Sequence, residues 1–228
     1  MIGFQRGINL IYSLFVKGDN MVFSPLRSEN DLFIKFYFLN NIMKELIKCF
    51  DNQPIVKLKR TNYVVNPLLD HEPETTFQLI DDAIRELSKL IDFSKINKIV
   101  CEEDRGGFIG AILAHKNKKS LAMVKWNPPK LSGQNGINFR NAYAEGKMYL
   151  YGIKKGDKVV LVEDLIDSGN TIIKMIELLR EKDINIIDVI CIAEKIDYEG
   201  AKKIEEVTGI KIKSILKFTA KGKRSKIL

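Results

Sequence analysis

The stretch from Val159 to Thr171, VVLVEDLIDSGNT, joins three chemically different blocks: an apolar run, two acids and a turn of small polar residues. Val159 to Val162 is an apolar, β-branched run of the kind found where both faces of a strand are buried in a parallel sheet. After Asp167, apolar residues occur at helical spacing, at Ile172, Ile173, Ile176 and Leu179. Thr171 is the expected N-cap of this helix. The stretch therefore predicts a central strand, a turn and a helix.

The acids and the turn are expected at the carboxyl end of that strand, where open α/β sheets bind their ligands. Glu163 and Asp164 would repel a phosphate unless they bound another part of the same ligand, and vicinal hydroxyls or Mg²⁺ would suit them. A ribose 5-phosphate has both parts. Its phosphate would bind the backbone N–H groups and hydroxyls of the turn, at Asp167, Ser168, Gly169, Asn170 and Thr171.

Composition agrees with one intracellular catalytic domain. The chain has 228 residues, of which 45% are hydrophobic, enough for one substantial core. Its three cysteines, Cys49, Cys101 and Cys191, show no paired or metal-type spacing, which favours a reducing compartment and core positions. Two isolated histidines, His71 and His115, are interpreted as structural.

The net charge of +8 does not by itself indicate a nucleic-acid surface, because most lysines are scattered among acids and no recognition-helix pattern is present. The exception is a basic C-terminal tail, which contains Lys217, Lys221, Lys223, Arg224 and Lys226. We interpret this tail as a solvated terminus in preference to an RNA-binding arm. The apolar run Ile8 to Val16 is too short to span a bilayer. It also lacks a small-residue cleavage site, which argues against a signal peptide.

A second strand, Ile96 to Cys101, also runs into a glycine-containing turn, before an apolar helix from Phe108 to Ala114. Gly106 and Gly107 would allow backbone conformations that expose N–H groups to an anion, and Arg105 would add positive charge. Such a pair of glycines is common at strand–helix turns. Taken alone, the turn is weak evidence for anion binding.

A third strand, Leu121 to Lys125, is followed by a long polar segment at 126–146 that we interpret as a mobile lid. Transfer of a sugar through a cation-like carbon must exclude water, and lid closure is the usual means. Farther on we expect a strand at Ile186 to Ala193, a helix at Gly200 to Gly209 and an edge strand at Ile210 to Phe218. The series predicts an α/β fold with a mostly parallel central sheet and helices on both faces.

Two motifs and five shorter segments now point to a family. Val159 to Thr171 resembles the phosphoribosyl pyrophosphate (PRPP) signature of the type I phosphoribosyltransferases, and Glu103 to Gly110 resembles the pyrophosphate loop of the adenine enzymes, with Asp104 and Gly107 as departures. Beyond Met43 the chain is similar to the small archaeal hypoxanthine/guanine phosphoribosyltransferases, in NQPIVK (52–57), NYVVNP (62–67), INKIV (96–100), KGDKVV (155–160) and TGIKIK (208–213). The resemblance implies a type I phosphoribosyltransferase domain at 43–228, with a small hood region and an N-terminal extension of uncertain status at 1–42.

The resemblance also implies roles for particular residues. PRPP and a purine base would be the substrates, with Mg²⁺ as cofactor, in a cytoplasmic homodimer. Glu163 and Asp164 would hold the ribose and any Mg²⁺ bound through ribose or pyrophosphate, and Asp167 would manage the base proton at N7. The pyrophosphate would contact Arg105, Gly106, Gly107 and Lys125. The base would contact Tyr63, Val65 and Lys195.

The choice of base is open at this point. Asp167 and Lys195 favour an oxopurine, hypoxanthine or guanine, giving IMP or GMP, because Lys195 would donate to O6. The Arg105–Gly106 pair instead favours adenine, giving AMP. A further alternative is a non-catalytic regulator that senses PRPP and binds nucleic acid through its basic ends, although the acids, the phosphate turn and Asp167 favour an enzyme.

Overall fold

The computed structural model describes residues 43–58, 61–126, 136–140 and 145–228. The predicted N-terminal extension lies outside these residues, as do 127–135 and 141–144 of the predicted lid. Helices within the described ranges are α1 (Lys44–Phe50), α2 (Pro67–Asp70), α3 (Phe77–Lys89), α4 (Arg105–Lys116), α5 (Asn170–Glu181) and α6 (Gly200–Thr208). Short 3₁₀ turns occur at Phe93–Lys95 and Ile196–Tyr198.

The strands form a small sheet and a large one. The small sheet pairs β1 (Ile55–Leu58) with β2 (Thr61–Val64) antiparallel. The large sheet has the order β10-β9-β8-β7-β3-β4-β6-β5. Its strands are β3 (Lys98–Glu102), β4 (Ser120–Trp126), β5 (Ile137–Arg140), β6 (Glu145–Tyr151), β7 (Lys158–Ile166), β8 (Asn185–Lys195), β9 (Lys213–Thr219) and β10 (Lys226–Ile227).

The predicted central strand is confirmed in β7, which lies between parallel neighbours β3 and β8. Its alternate residues enter two hydrophobic cores, one on each face of the sheet. Val160 and Val162 pack with apolar residues of α1, α3 and α4, whereas Val159 and Leu161 pack with those of α5 and α6. Burial on both faces explains the continuous apolar run and confirms helices on both sides of a mostly parallel sheet.

Three predicted details were wrong. Helix α5 is capped by Gly169, whose φ of 76° is left-handed, and Thr171 already lies inside the helix. Strand β9 is not at the edge, because β10 pairs with it antiparallel. The predicted lid is not wholly irregular, since β5 within it pairs antiparallel with β6.

The basic tail is held in the fold, although its charged side chains are exposed as expected of a solvated terminus. Ser225 is buried: its N–H donates to Gln53 O, and its hydroxyl donates to Phe50 O. The three cysteines are buried and free, and burial raises the pKa of Cys49 and Cys101 to about 12. No helix among the described residues is long and apolar enough to cross a membrane.

Candidate active site

A cavity of about 1020 Å³ opens at the carboxyl ends of β3, β7 and β8 and reaches the small sheet β1–β2. Most of the residues predicted for a site line its wall: Tyr63, Arg105, Glu163, Asp164, Asp167, Ser168, Gly169, Asn170, Thr171 and Lys195. The wall does not include Val65, Gly106, Gly107 or Lys125. Ten of the fourteen proposed contact residues therefore line one cavity, and what each of them binds stays a prediction.

The phosphate turn joins β7 to α5 and is shaped by close packing against α6. Gly169 adopts its left-handed conformation there, and a Cβ added to it would lie 2.7 Å from Gly200 O. A Cβ added to Gly200 would lie only 2.1 Å from Asp167 O. Both glycines are thus required for contact between the turn and α6. The N-terminus of α5, with backbone N–H groups that have no acceptor within the helix, faces the cavity.

Lys203 is a positively charged neighbour of this turn that sequence reasoning missed. Lys203 lies on the next helix, α6, and its Nζ donates to Asn170 Oδ1 at a distance of 2.7 Å. Lys203 follows Gly200 by about one helical turn and therefore lies on the same side of α6. The packing of α6 on the phosphate turn brings Lys203 close to Asn170. The turn therefore has a cation beside its N–H groups.

The two acids at the end of β7 differ in environment. Asp164 is 2% exposed, and its Oδ2 lies 3.4 Å from Arg105 Nε, an ion pair without hydrogen-bond alignment. Glu163 Oε1 accepts from Asp164 N at 3.3 Å, and its Oε2 has no partner among the described residues. Burial, contact with Asp164 and repulsion from Asp164 and Glu102 raise the pKa of Glu163 well above its ordinary value. Glu163 is therefore favoured in its neutral form.

Arg105, the first residue of α4, connects these acids to the small sheet. Its Nη1 donates to the Tyr63 hydroxyl at 3.1 Å, and its guanidinium lies 5.9 Å from the Tyr63 ring centroid. The Tyr63 hydroxyl in turn donates to Asp70 Oδ1. Burial alone would lower the pKa of Arg105, but the attraction of Asp164, Tyr63, Asp70 and Glu163 raises it above its ordinary value.

Asp167 and Lys195 form a buried ion pair across the ends of β7 and β8. Lys195 Nζ lies 2.8 Å from Asp167 Oδ2, donates to Asn62 O at 2.8 Å and lies 3.4 Å from Thr61 Oγ1. Asp167 Oδ1 is buried without a hydrogen-bond partner among the described residues. Burial raises the pKa of Asp167 above its ordinary value, and Lys195 opposes that rise.

Two further lining residues, Glu102 and Trp126, were missed as site residues. The indole N–H of Trp126 donates to Glu102 Oε1. Burial raises the pKa of Glu102 to about 7, with Asp164 and Asp104 adding repulsion. Glu102 ends a strand, so the strand-end rule points to it. No local signal identifies Tyr198 or Phe218, which topology brings to the same wall.

The glycines after Arg105 have a packing role, and their predicted contact with pyrophosphate stays a prediction. Helix α4 begins at Arg105, so Gly106 and Gly107 lie in its first turn, and neither has a positive φ. A Cβ on Gly106 would lie 3.0 Å from Glu163 Oε1, and one on Gly107 would lie 2.8 Å from Glu102 O. They let α4 approach the strand ends closely. Lys125 pairs with Glu103, a residue of the cavity wall, at 3.3 Å.

Comparison with known proteins decides the family. The phosphoribosyl transferase domain family matches residues 73–222. The chain belongs to the phosphoribosyltransferase family. The hypoxanthine/guanine phosphoribosyltransferase of Methanocaldococcus infernus is 32% identical over 174 residues, 76% of this chain and 92% of the relative. That of Methanotorris igneus is 33% identical over 175 residues, 77% of this chain and 94% of the relative.

Solved phosphoribosyltransferases confirm the type I fold. The adenine phosphoribosyltransferase of Thermoanaerobacter pseudethanolicus superposes with a TM-score of 0.64 at 22% identity, over 77% of this chain and 99% of that structure. The adenine enzyme of Rhodothermus marinus gives 0.65 at 19% identity, over 78% and 98%. The suspected combination of features is confirmed: sequence relatives named for hypoxanthine and guanine, and structural neighbours named for adenine.

Proposed function

We propose that the protein is a purine salvage enzyme that transfers the 5-phosphoribosyl group of PRPP to hypoxanthine or guanine, forming IMP or GMP and releasing pyrophosphate. One observation carries the proposal. Three buried carboxyl oxygens in one cavity, from Glu163, Asp164 and Asp167, have no hydrogen-bond partner among the described residues. Such groups are costly unless a ligand supplies donors. Ribose hydroxyls and a purine N–H are donors of the required kind.

The chemistry exchanges one bond at C1 of the ribose for another. The bond from C1 to the pyrophosphate oxygen breaks with its electron pair leaving on pyrophosphate, and a bond from C1 to the purine nitrogen forms. The N-terminus of α5 holds the 5-phosphate, and Asp164 holds the ribose while offsetting positive charge that develops at C1. Arg105 binds the departing pyrophosphate. Asp167 accepts the purine's proton through Oδ1.

Mg²⁺ fits this site only as part of the substrate complex. Among the described residues, no group of three His, Cys, Asp or Glu side chains is placed to hold a metal alone. Glu163 is favoured as neutral, and Asp164 already pairs with Arg105. An ion that takes most of its ligands from pyrophosphate, ribose and water needs at most one oxygen of Asp164 or Glu163. Bound there, Mg²⁺ would neutralise charge on the leaving group.

The ion pair between Asp167 and Lys195 supports an oxopurine. Lys195 has only donor hydrogens, so a base group beside it must be an acceptor. O6 of hypoxanthine or guanine is an acceptor, whereas the 6-amino group of adenine is a donor. O6 would replace the longest of the three contacts of Lys195, the one to Thr61. Sites with a buried donor of this kind discriminate strongly against a ligand that leaves it unpaired.

Adenine is the second candidate, because Arg105 and Gly106 retain the form of the adenine-type pyrophosphate loop. We would incubate the purified full-length chain with PRPP, Mg²⁺ and adenine, hypoxanthine, guanine or xanthine, and quantify nucleotide products by chromatography. We expect IMP and GMP at rates at least about tenfold above AMP. Dominant AMP formation would identify the protein as an adenine phosphoribosyltransferase. Absence of product with all four bases would refute the proposed enzymatic function.

We also propose that the enzyme is cytoplasmic and forms a homodimer. Three free, buried cysteines support a reducing compartment. Closure of the lid at about 126–146 over the bound substrates remains part of the proposal. Light scattering on the eluted full-length chain tests the dimer, for which a mass of about twice 26.1 kDa is expected.

A further inference from the structure

Tyr63 was expected to contact the base, but its hydroxyl is engaged elsewhere. It donates to Asp70 Oδ1 and accepts from Arg105 Nη1 at 3.1 Å. Asp70 is itself fixed, because its Oδ2 accepts from Asn66 N at 2.9 Å. The hydroxyl is therefore held between a fixed carboxylate and the guanidinium, which determines the direction in which Arg105 points.

The ring of Tyr63 contributes to the same positioning. The guanidinium carbon lies 5.9 Å from the ring centroid, within the range of cation–π attraction. Arg105 Nε lies 3.4 Å from Asp164 Oδ2. Tyr63 and Asp164 thus contact different nitrogens of the guanidinium, Nη1 and Nε. We expect Nη2 to bind the anion.

We propose that Tyr63 is a positioning residue for pyrophosphate, which fixes the Arg105 guanidinium above the carboxylates that bind the ribose. The inference rests on the proposed function and deepens it, because it moves Tyr63 from the base to the leaving group. It also links the small sheet to the pyrophosphate site through a single side chain. A displaced β2 would therefore move Arg105 and weaken PRPP binding.

Tyr63→Phe tests the role of the hydroxyl, because the ring that would stack on a base is retained. Tyr198→Phe is the matched control: its hydroxyl also lies in the cavity wall but contacts Thr61 Oγ1 at 3.2 Å instead of Arg105. Binding is measured by the fluorescence of the single tryptophan, Trp126, which lines the cavity. The ligands are PRPP with Mg²⁺ and IMP, which carries the same ribose 5-phosphate without pyrophosphate.

We expect Tyr63→Phe to raise the Kd for PRPP about three- to tenfold, within the range of one typical hydrogen bond, and to leave the Kd for IMP within about twofold. Tyr198→Phe should leave the Kd for PRPP within about twofold. Asp70→Asn weakens the hydrogen bond that holds the Tyr63 hydroxyl. It should therefore also raise the Kd for PRPP relative to the Kd for IMP. This second variant keeps the test informative if Tyr63→Phe folds poorly.

Two outcomes would overturn the inference: an unchanged Kd for PRPP in Tyr63→Phe, or equal losses for PRPP and IMP, which would indicate a general deformation of the small sheet. A wild-type protein that binds neither ligand would instead refute the proposed function. The two failures are therefore distinguishable in one set of titrations.

Discussion

The adjacent acids Glu163 and Asp164 should respond differently to loss of charge. Asp164 pairs with Arg105, whereas Glu163 is buried beside another acid and its pKa is raised well above the ordinary value, by burial first. At neutral pH Asp164→Asn removes a negative charge. We predict that the raised pKa keeps Glu163 protonated at neutral pH, so that Glu163→Gln exchanges a neutral acid for a neutral amide of the same shape, whose oxygen still accepts from Asp164 N.

The magnitude follows from the charge that develops on the sugar. A carboxylate about 5 Å from the cationic C1 contributes about 3 kcal/mol at an effective dielectric constant of about 20. That energy corresponds to a factor of roughly 200 in rate. We therefore expect Asp164→Asn to lower kcat between about 100- and 1000-fold, and Glu163→Gln to lower it less than about tenfold.

The assay is steady-state formation of IMP from hypoxanthine and saturating PRPP at neutral pH. Asp183→Asn provides a control, because this exposed aspartate precedes the amino end of β8 and pairs with the exposed Lys155. Its kcat should stay within about twofold of wild type. Equal losses in Glu163→Gln and Asp164→Asn would refute the reasoning, since they would show that Glu163 is ionised when it acts. Circular dichroism and thermal unfolding check that each variant is folded.

Other parts of the site give three more expectations. Since burial raises the pKa of Glu102 from 4.5 to about 7 in the folded state, its stabilising contribution is present at pH 4 and lost as pH rises through 7. Glu102→Gln should therefore raise the free energy of urea unfolding by about 1–3 kcal/mol more at pH 8 than at pH 4, and equal differences would contradict this. Lys195→Met should move the acid limb of kcat/KM for hypoxanthine to higher pH, because the attraction that lowers the pKa of Asp167 is lost; an unmoved limb would show that Asp167 does not set it. Gly200→Ala should raise KM for PRPP at least about tenfold in initial-rate assays, because its Cβ would lie 2.1 Å from Asp167 O. Lys202→Ala, on the same helix, should change KM for PRPP less than about twofold. Similar KM values for the two variants would argue against this packing role of Gly200.

The central strand and the helix after it were predictable because their signals are local. A run buried on both faces reads as continuous apolar sequence, and helical periodicity appears within a few turns. The cap of α5 was not predictable in the same way. Gly169 is required by the close approach of Gly200, a residue of the next helix, and no local pattern records that contact. Thr171 was the better N-cap on propensity alone.

Partners on other elements account for what local patterns did not show. Lys125 was predicted to contact pyrophosphate because it ends a strand, and the structure adds its ion pair with Glu103, which follows the adjacent strand. The edge position of β9 was inferred from alternating lysines, but β10 follows after a turn and pairs with it. Tyr198 reaches the cavity because a 3₁₀ turn follows β8, where its hydroxyl contacts Thr61 of the small sheet. In each case, the partner lies on another strand or turn, where no local pattern records the contact.

Recognition of PRPP and recognition of the base depend on different kinds of atoms. The 5-phosphate is expected to bind backbone N–H groups at the start of α5, and the fold itself places them. In the proposed enzyme, base choice instead depends on a few side-chain atoms: the ammonium of Lys195, Asp167 Oδ1 and the small-sheet groups that hold Lys195. The chain shares its fold with an adenine enzyme at a TM-score of 0.64 and 22% identity, so the fold alone does not identify the base. Changes confined to these side chains should alter the preferred base while the sheet and the phosphate turn stay intact.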